Sequence, residues 1–460
     1  MRPLLKINEP ERFSSGIWID TPENQPSLWR DATNVLFSDG LIEKSRGYSQ
    51  TATVASRVSG MASAFAGGFQ RLYIGAGPQV FMAEGLAPPT QIGSGFAPNS
   101  LWVLEPYGNF LLATNGVNRP QIWENTGTLA PWPTAPFLNP RLVKKLEVFP
   151  ILFQGQEIAW PTYNNFKDFV PGPGKRAGQF FVRDLDGDIM AAEPLGDALV
   201  YYSQDMFGFI RFVGGEAAMS IRTHPGGGIG AVGPHAVAAC GPFHYGISRK
   251  GIWQSDGNSF RYVARPAVAR WFKDQIDWLN AIDCVVVHHE AESQVVFFFP
   301  CKDGTIRGLG YTYDGPASGR WTKLEMPITA AAEQSTFTAP PVAAGTTVGL
   351  FATGSNAGTS VLPSSLRSAP LDMGSTDQAK RWQMLELHLQ LGAALEFRVG
   401  YSNALKAEPE WTDWRTAQHE NWLEDFESIF LTVEFRHSQL GTNWRLTGME
   451  IHGEPVGKRR

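Results

Sequence analysis

Asn34-Val35-Leu36-Phe37-Ser38-Asp39-Gly40-Leu41-Ile42-Glu43-Lys44 sets two short apolar runs on either side of an Asp-Gly pair. Glycine accepts positive φ without steric cost, so this is a strong local signal for a tight β-hairpin. A second such unit runs Arg71-Leu72-Tyr73-Ile74-Gly75, a Gly-Pro turn, then Gln79-Val80-Phe81. A third is Asn109-Phe110-Leu111-Leu112-Ala113-Thr114, then Asn115-Gly116, then Gln121-Ile122-Trp123. The spacing of about 40 residues is that of one β-propeller blade, a small sheet that buries its faces only against neighbouring blades.

Downstream the rhythm continues. Ala198–Tyr202 pairs with Gly208–Val213, and His244–Ser248 turns at Arg249-Lys250-Gly251 into Ile252-Trp253-Gln254. Cys284–His289 and Gln294–Phe299 flank Glu290-Ala291-Glu292-Ser293 as another hairpin. One segment breaks the pattern: Pro266 to Leu279 places Val268, Trp271, Phe272, Ile276 and Leu279 on one stripe, which predicts an amphipathic helix. From about Thr336 to Ser375 the chain is rich in Ala, Gly, Thr, Ser and Pro, a last weak blade around Leu350-Phe351-Ala352 merging into a connector. After it the alternation sharpens. Leu385, Leu387, Leu389 and Leu391 alternate with Glu386, His388 and Gln390; Leu395, Phe397 and Val399 with Glu396 and Arg398; Ile429, Leu431, Val433 and Phe435 follow, and Trp444 to Ile451 adds a strand. Period two over several strands means sheets with one buried and one wet face. The expectation is an all-β chain: a β-propeller of about six or seven blades with an N-terminal arm over residues 1–375, and an additional C-terminal β domain over 376–460.

Composition agrees. Hydrophobic residues make up 43% and charged residues 18%, enough for a large core. Gly 48, Pro 32 and Trp 15 suit many turns and half-buried pleated surfaces. With 39 basic against 44 acidic residues the formal net charge is -5, the wrong sign for a protein that grips phosphates through clustered Lys and Arg. Cys240, Cys284 and Cys301 cannot all pair and show no CxxC spacing, so they read as buried thiols. Met1-Arg2-Pro3-Leu4-Leu5-Lys6 has neither a long apolar core nor a cleavage pattern, and no apolar run reaches the roughly 20 residues that cross a bilayer.

Motifs that carry chemistry fail on context. Gly228-Ile229-Gly230-Ala231-Val232-Gly233 spells GxGxxG, but Pro225 precedes it and Pro234 interrupts the helix a dinucleotide site needs, so it reads as a connection between blades. Asp184-Leu185-Asp186-Gly187-Asp188 opens like a calcium loop, yet Ile189 and Leu195 stand where Gly and an acidic ligand are required, leaving an acidic hairpin tip. His288 and His289 are adjacent on a strand and point to opposite faces, so they do not chelate together. Ser255-Asp256-Gly257 lacks the spacing and final Trp of the Asp-box repeated in sialidase propellers, and no GxSxG or P-loop occurs. No catalytic residue, cofactor-binding residue or metal ligand is expected, and no enzymatic activity.

The stretch Trp29-Arg30-Asp31-Ala32-Thr33-Asn34 through Gly47-Tyr48 resembles the opening of phage tail proteins, where a phrase N-V-x-F-x-D-G-x-x-E-K-R-x-G-Y forms an early hairpin. Tyr202–Val213 with Gly214-Gly215, Ile229–Val232 leading to Tyr245–Trp253, the helix through Trp271-Phe272 followed by Phe297-Phe298-Phe299-Pro300, and Asn443–Ile451 with the closing Gly457-Lys458-Arg459-Arg460 continue that family's order. The resemblance spans most of the chain, with gaps near 85–105 and 320–375, and its collinear order carries it. The family is the tail hub or nozzle protein of short-tailed bacteriophages. It implies a structural virion protein around a propeller, assembled with itself in a closed ring, commonly a hexamer, below the portal and head-to-tail adaptor. Tail fibre or tailspike proteins would be its other neighbours, with genomic DNA passing without specific binding. The protein would be made in the host bacterial cytoplasm and end in the virion tail. Two alternatives stand beside this: a carbohydrate-binding or receptor-binding propeller tail protein, and a related tail protein of a long-tailed phage or gene-transfer particle.

Overall fold

A computed structural model describes residues 3–7, 13–16, 29–38, 40–85, 87–215, 218–224, 228–313, 319–332, 337, 339–352, 362–392, 394–439 and 442–458. The fold is all-β. Among the described residues, seven four-stranded antiparallel blades follow one another, spanning 58–93, 103–131, 142–181, 191–223, 237–262, 285–324 and 330–351. Short hairpins connect most neighbouring strands, as at Phe110–Thr114 against Gln121–Trp123. The innermost strands touch in chain order and the seventh returns to the first, where Met61 and Ala332 bridge in parallel. The ring is closed by the N-terminal part of the chain: Tyr48–Thr53 is the outer strand of blade 7, paired antiparallel with Thr347–Phe351. The weak last blade expected around Leu350 is therefore completed from 300 residues away.

Packing between blades supplies the core. Trp102, ahead of blade 2, lies against blade 1 so closely that a Cβ on Gly75 would stand 2.4 Å from its side chain, and its indole N–H donates to the Gly77 carbonyl at 2.9 Å. Only glycine admits that approach. Trp253 of blade 5 is buried against Tyr202 of blade 4, and within blade 6 Phe297 stacks on Trp321. The helix Pro266–Gln275 bridges blades 5 and 6, with proline at its start and Val268 and Phe272 buried. It ends four residues earlier than hydrophobic period suggests: Ile276 leaves helical geometry, and Leu279 is 94% exposed, not part of the stripe.

A β-sandwich takes up the remaining strands. One sheet runs Val35–Ser38, Leu41–Lys44, Trp444–Lys458, Gln378–Gly392, Glu420–Ser428, with Pro3–Ile7 also on Trp444–Lys458. The facing sheet runs Trp29–Thr33, Ser364–Ser368, Phe430–His437, Glu396–Ser402, then Glu410–Trp411. Of the alternating residues, Leu385, Leu387, Leu395, Phe397, Val399, Leu431, Val433 and Phe435 fill the space between the sheets with Trp29, Trp382 and Trp444; Leu389 is half-buried, Ile429 falls between two strands, and the Leu391 side chain lies outside the described residues. The Asn34–Lys44 hairpin, by contrast, is no blade. It belongs to the sandwich, as do Trp29–Thr33 and Ser364–Ser368, so strand pairing does not follow a division at residue 375.

The two bodies are joined through backbone. Thr33 bridges in parallel to Lys323 of blade 6, which makes blade 6 and the second sandwich sheet one ten-stranded sheet. Asn34 forms the corner. It is fully buried at φ 55, a conformation asparagine tolerates far better than branched residues. Its N–H donates to Lys323 O at 2.8 Å, its side-chain amide donates to Pro363 O at 2.6 Å, and its side-chain oxygen accepts from the Glu325 N–H at 2.8 Å. Asn34→Ala is expected to cost about 2–3 kcal/mol in urea denaturation, from lost hydrogen bonds and backbone strain together. Asn34→Gly should recover the backbone part alone, and equal losses in both variants would refute that division.

Candidate functional site

A cavity of about 420 Å³ opens beside the inner strands of blades 1 to 4, lined by Met61–Ala64, Val103–Pro106, Lys144, Lys145, Glu193, Pro194 and His235. Proximity here follows from the fold alone, because each lining segment is the first strand of its blade or leads into it. Lys144 of blade 3 and Glu193 of blade 4 form an ion pair at 2.6 Å, with side chains only 5% and 3% exposed. Behind it, His244 is locked between blades. Its Nε2–H donates to Pro194 O at 2.8 Å, so its Nδ1 accepts from the Tyr202 hydroxyl, also at 2.8 Å. Burial holds the His244 imidazole down at about 4, with Lys144 adding repulsion, and burial pushes the Tyr202 phenol up. The cavity wall thus carries paired charge, and behind it stands a neutral imidazole whose hydrogen bonds are already satisfied. Removing one member of the pair, by Lys144→Met, takes the cation at 2.6 Å from a buried carboxylate and is expected to cost about 3–5 kcal/mol. Lys144→Met with Glu193→Leu should restore most of that loss in denaturant melts, and a double variant as unstable as the single one would count against a buried-pair penalty.

A second cleft, about 330 Å³, lies between the helix and the joint with the sandwich. Lys323 reaches into it, paired with Asp31 at 2.7 Å and set over the Trp271 ring at 5.2 Å. On the outer face of the second sandwich sheet, Arg398 lies between Trp411 and Trp414, Arg367 covers Trp411, and Arg436 covers Trp414. Those ring faces are occupied by guanidinium groups, which takes from them the stacking surface a sugar would use.

The residues singled out by motif occupy structural places. Gly228–Gly233 connects blades 4 and 5: Gly230 passes so close to Gln204 that a Cβ would meet its carbonyl oxygen at 2.1 Å, and Trp253 donates to Gly230 O at 2.9 Å. Strand Val237–Cys240 follows, not a helix; Pro225 lies outside the described residues. Asp184–Asp188 is a connection between blades 3 and 4 and not a hairpin tip; Leu185 and Ile189 anchor it in the core while Asp186 accepts from Ser203 Oγ. Asp256 caps a turn, accepting from the N–H groups of Ser259 and Asn258, which hold its carboxyl below the ordinary range. His288 and His289 do face apart, His288 to the Tyr313 hydroxyl at 2.8 Å and His289 onto the Phe351 ring. The three cysteines are buried and free. Arg459 and Arg460 lie outside the described residues.

One grouping escaped the motif search. Glu386, Glu450 and His452 bring ligand atoms within 4.8 Å of one another on the first sandwich sheet, with His388 and His419 beside them. The signal was present as Glu-x-His written twice, at 386–388 and 450–452, but the pairing of two strands 64 residues apart is what brings the copies together.

No helix among the described residues is long and apolar enough to cross a membrane. No family model and no curated protein matches the chain. Among solved structures it is similar to PorZ, a bacterial surface component of the type-IX secretion system of Porphyromonas gingivalis. That likeness has 8% identity and a TM-score of 0.41 over 72% of this chain, and spans 44% of PorZ. It is also similar to a chain of the mitotic checkpoint complex, with 8% identity and a TM-score of 0.44 over 72% of this chain and 97% of that one.

Proposed function

We propose that this chain is a structural component of a phage tail, the hub or nozzle of a short-tailed particle, assembled as a ring below the portal and adaptor. One observation carries the reading. The Asn34–Tyr48 phrase that resembles the opening of tail proteins is also the piece that welds propeller to sandwich. Asn34 makes the corner, Glu43 accepts from Arg46 at 2.9 Å and from Arg445 at 2.7 Å, Arg46 reaches Glu292 of blade 6, and Tyr48 begins the strand that closes the ring of blades. A scaffold that must hold its shape under load benefits from such a joint, because two bodies sharing one sheet do not hinge freely.

In this reading the protein is a wall and not an enzyme. The genome would pass between copies arranged around a common axis, and a net charge of -5 per chain disfavours its sticking there. A closed ring requires each copy to offer two different patches, one for each neighbour. Adaptor, portal and fibre or tailspike proteins complete the proposed set of partners.

Negative-stain microscopy of particles from a strain with this gene disrupted tests the reading. Heads without tails, or heads that leak DNA, are expected. Complete tails on particles that fail to adsorb would replace it with the receptor-binding alternative.

A further inference from the structure

Glu386-Leu387-His388 and Glu450-Ile451-His452 lie on neighbouring antiparallel strands. Leu387 and Ile451 are fully buried in the sandwich, so period two turns the Glu and His residues to the opposite face. The register sets Glu386 directly across from Glu450 on one side and Glu420 on the other. Three carboxylates in a row across three strands destabilise a ladder unless cations are interleaved. Lys6 stands opposite Glu450 at the end of this row. Around Glu386 the neighbours are imidazoles. His452 Nε2 lies 3.3 Å from Oε2, His419 Nε2 3.6 Å from Oε1, and His388 Nε2 3.8 Å from Oε1 and 3.7 Å from Glu450 Oε1.

Two details go beyond clustering. The His419 Nδ1 lies 2.7 Å from the Leu387 carbonyl, which only accepts, so Nδ1 carries the proton. In the neutral ring Nε2 then presents a lone pair to the Glu386 carboxylate. Two acceptors face each other there, an arrangement that a cation between them resolves. Anchoring one ring nitrogen on a carbonyl while the other faces the ion is how metal-bound imidazoles are held. His452, meanwhile, is only 5% exposed, and its Nε2 is aimed into the cluster at hydrogen-bond distance, 3.3 Å, from Glu386 Oε2. Ligands about 2.0–2.1 Å from a tetrahedral zinc ion stand roughly 3.4 Å apart, which the spacings of this cluster bracket.

We propose that Glu386, Glu450 and His452 bind one divalent transition-metal ion, zinc fitting best, with His388 and His419 completing the shell from the solvent side. Mixed imidazole and carboxylate ligands favour zinc over calcium or magnesium, which take oxygen. The ion would staple strands Gln378–Gly392 and Trp444–Lys458 to the segment entering Glu420–Ser428, replacing carboxylate repulsion with a shared cation. This proposal departs from the expectation of a chain without metal ligands.

The test uses the full chain, freed of metal with a chelator and titrated with zinc chloride by calorimetry, with thermal unfolding followed in parallel. One zinc per chain and an unfolding midpoint raised by several degrees are expected. Glu386→Gln should weaken binding at least 10-fold and abolish the midpoint shift. His388→Gln, at a half-exposed position where folding is safe, should weaken it by a smaller factor, and unchanged circular dichroism would exclude misfolding in both. Cobalt(II) should give the intense visible bands of a four- or five-coordinate site. No heat and no midpoint shift, or zinc binding equally tight in both variants, would overturn the proposal and leave the tail reading untouched.

Discussion

A chain beginning at residue 54 should lose its cooperative unfolding transition. The missing segment supplies strands to both bodies: Trp29–Thr33, Val35–Ser38 and Leu41–Lys44 to the sandwich, Tyr48–Thr53 to blade 7. Trp29, Val35, Phe37 and Ile42 are each at most 1% exposed. At about 1.5–3 kcal/mol for each large apolar side chain, their burial contributes roughly 6–12 kcal/mol. A whole domain is stable by only about 5–15 kcal/mol, so what remains is insufficient. Blade 7 would also present Thr347–Phe351 as an open edge, an invitation to aggregation. Urea titration followed by tryptophan fluorescence and circular dichroism should show a gradual slope in place of a sigmoid. Adding residues 1–53 as a separate peptide should restore the sigmoid. An unchanged midpoint and slope in the truncated chain would show that closure by this segment is dispensable.

The same segment shows which parts of the fold are legible in sequence and which are not. Arg71–Phe81 and Asn109–Trp123 announce hairpins and prove to be the cores of blades 1 and 2. Asn34–Lys44 announces a hairpin with equal force and lands in another sheet. Turn chemistry is local, whereas the sheet a hairpin joins is settled by partners far away, here Trp444–Lys458 some 400 residues on. Leu279 misled for a related reason. Its spacing fits the stripe, but the chain has already left the helix at Ile276, and period has no meaning beyond that point. For the Glu386, Glu450 and His452 cluster, alternation correctly marks polar faces on two strands. Register decides whether those faces meet, and a shift of one residue would have put every ligand inside the core.

Two buried imidazoles should make the protein acid-labile within a defined window. His244 and His289 are both held at about 4 by burial, His244 also by Lys144, and His289 also by Arg46 and His288. In the unfolded chain each titrates near 6.5. Above that pH both states are neutral and stability is at its full value. As pH falls from about 6.5 to about 4 the unfolded state takes up protons that the folded state refuses, and stability declines. A difference of about 2.5 units corresponds to on the order of 3 kcal/mol for each histidine, about 6 together. Glu292, raised by burial beside His289, acts in the opposite sense near the foot of this window. The Asp168, Asp256, Asp277 and Asp303 carboxyls lie below their ordinary range, held there by hydrogen bonds, so their stabilisation is lost only at still lower pH. Urea midpoints measured between pH 7.5 and 4 should fall steeply through the window. His289→Phe, which keeps an aromatic ring on Phe351 and removes an Nε2 that has no hydrogen-bond partner, should flatten about half of that fall and raise stability at pH 4.5. If His289→Phe retains the parent slope, the acid sensitivity resides elsewhere, and the junction between blade 6 and the sandwich must be open enough for that ring to protonate in the folded state.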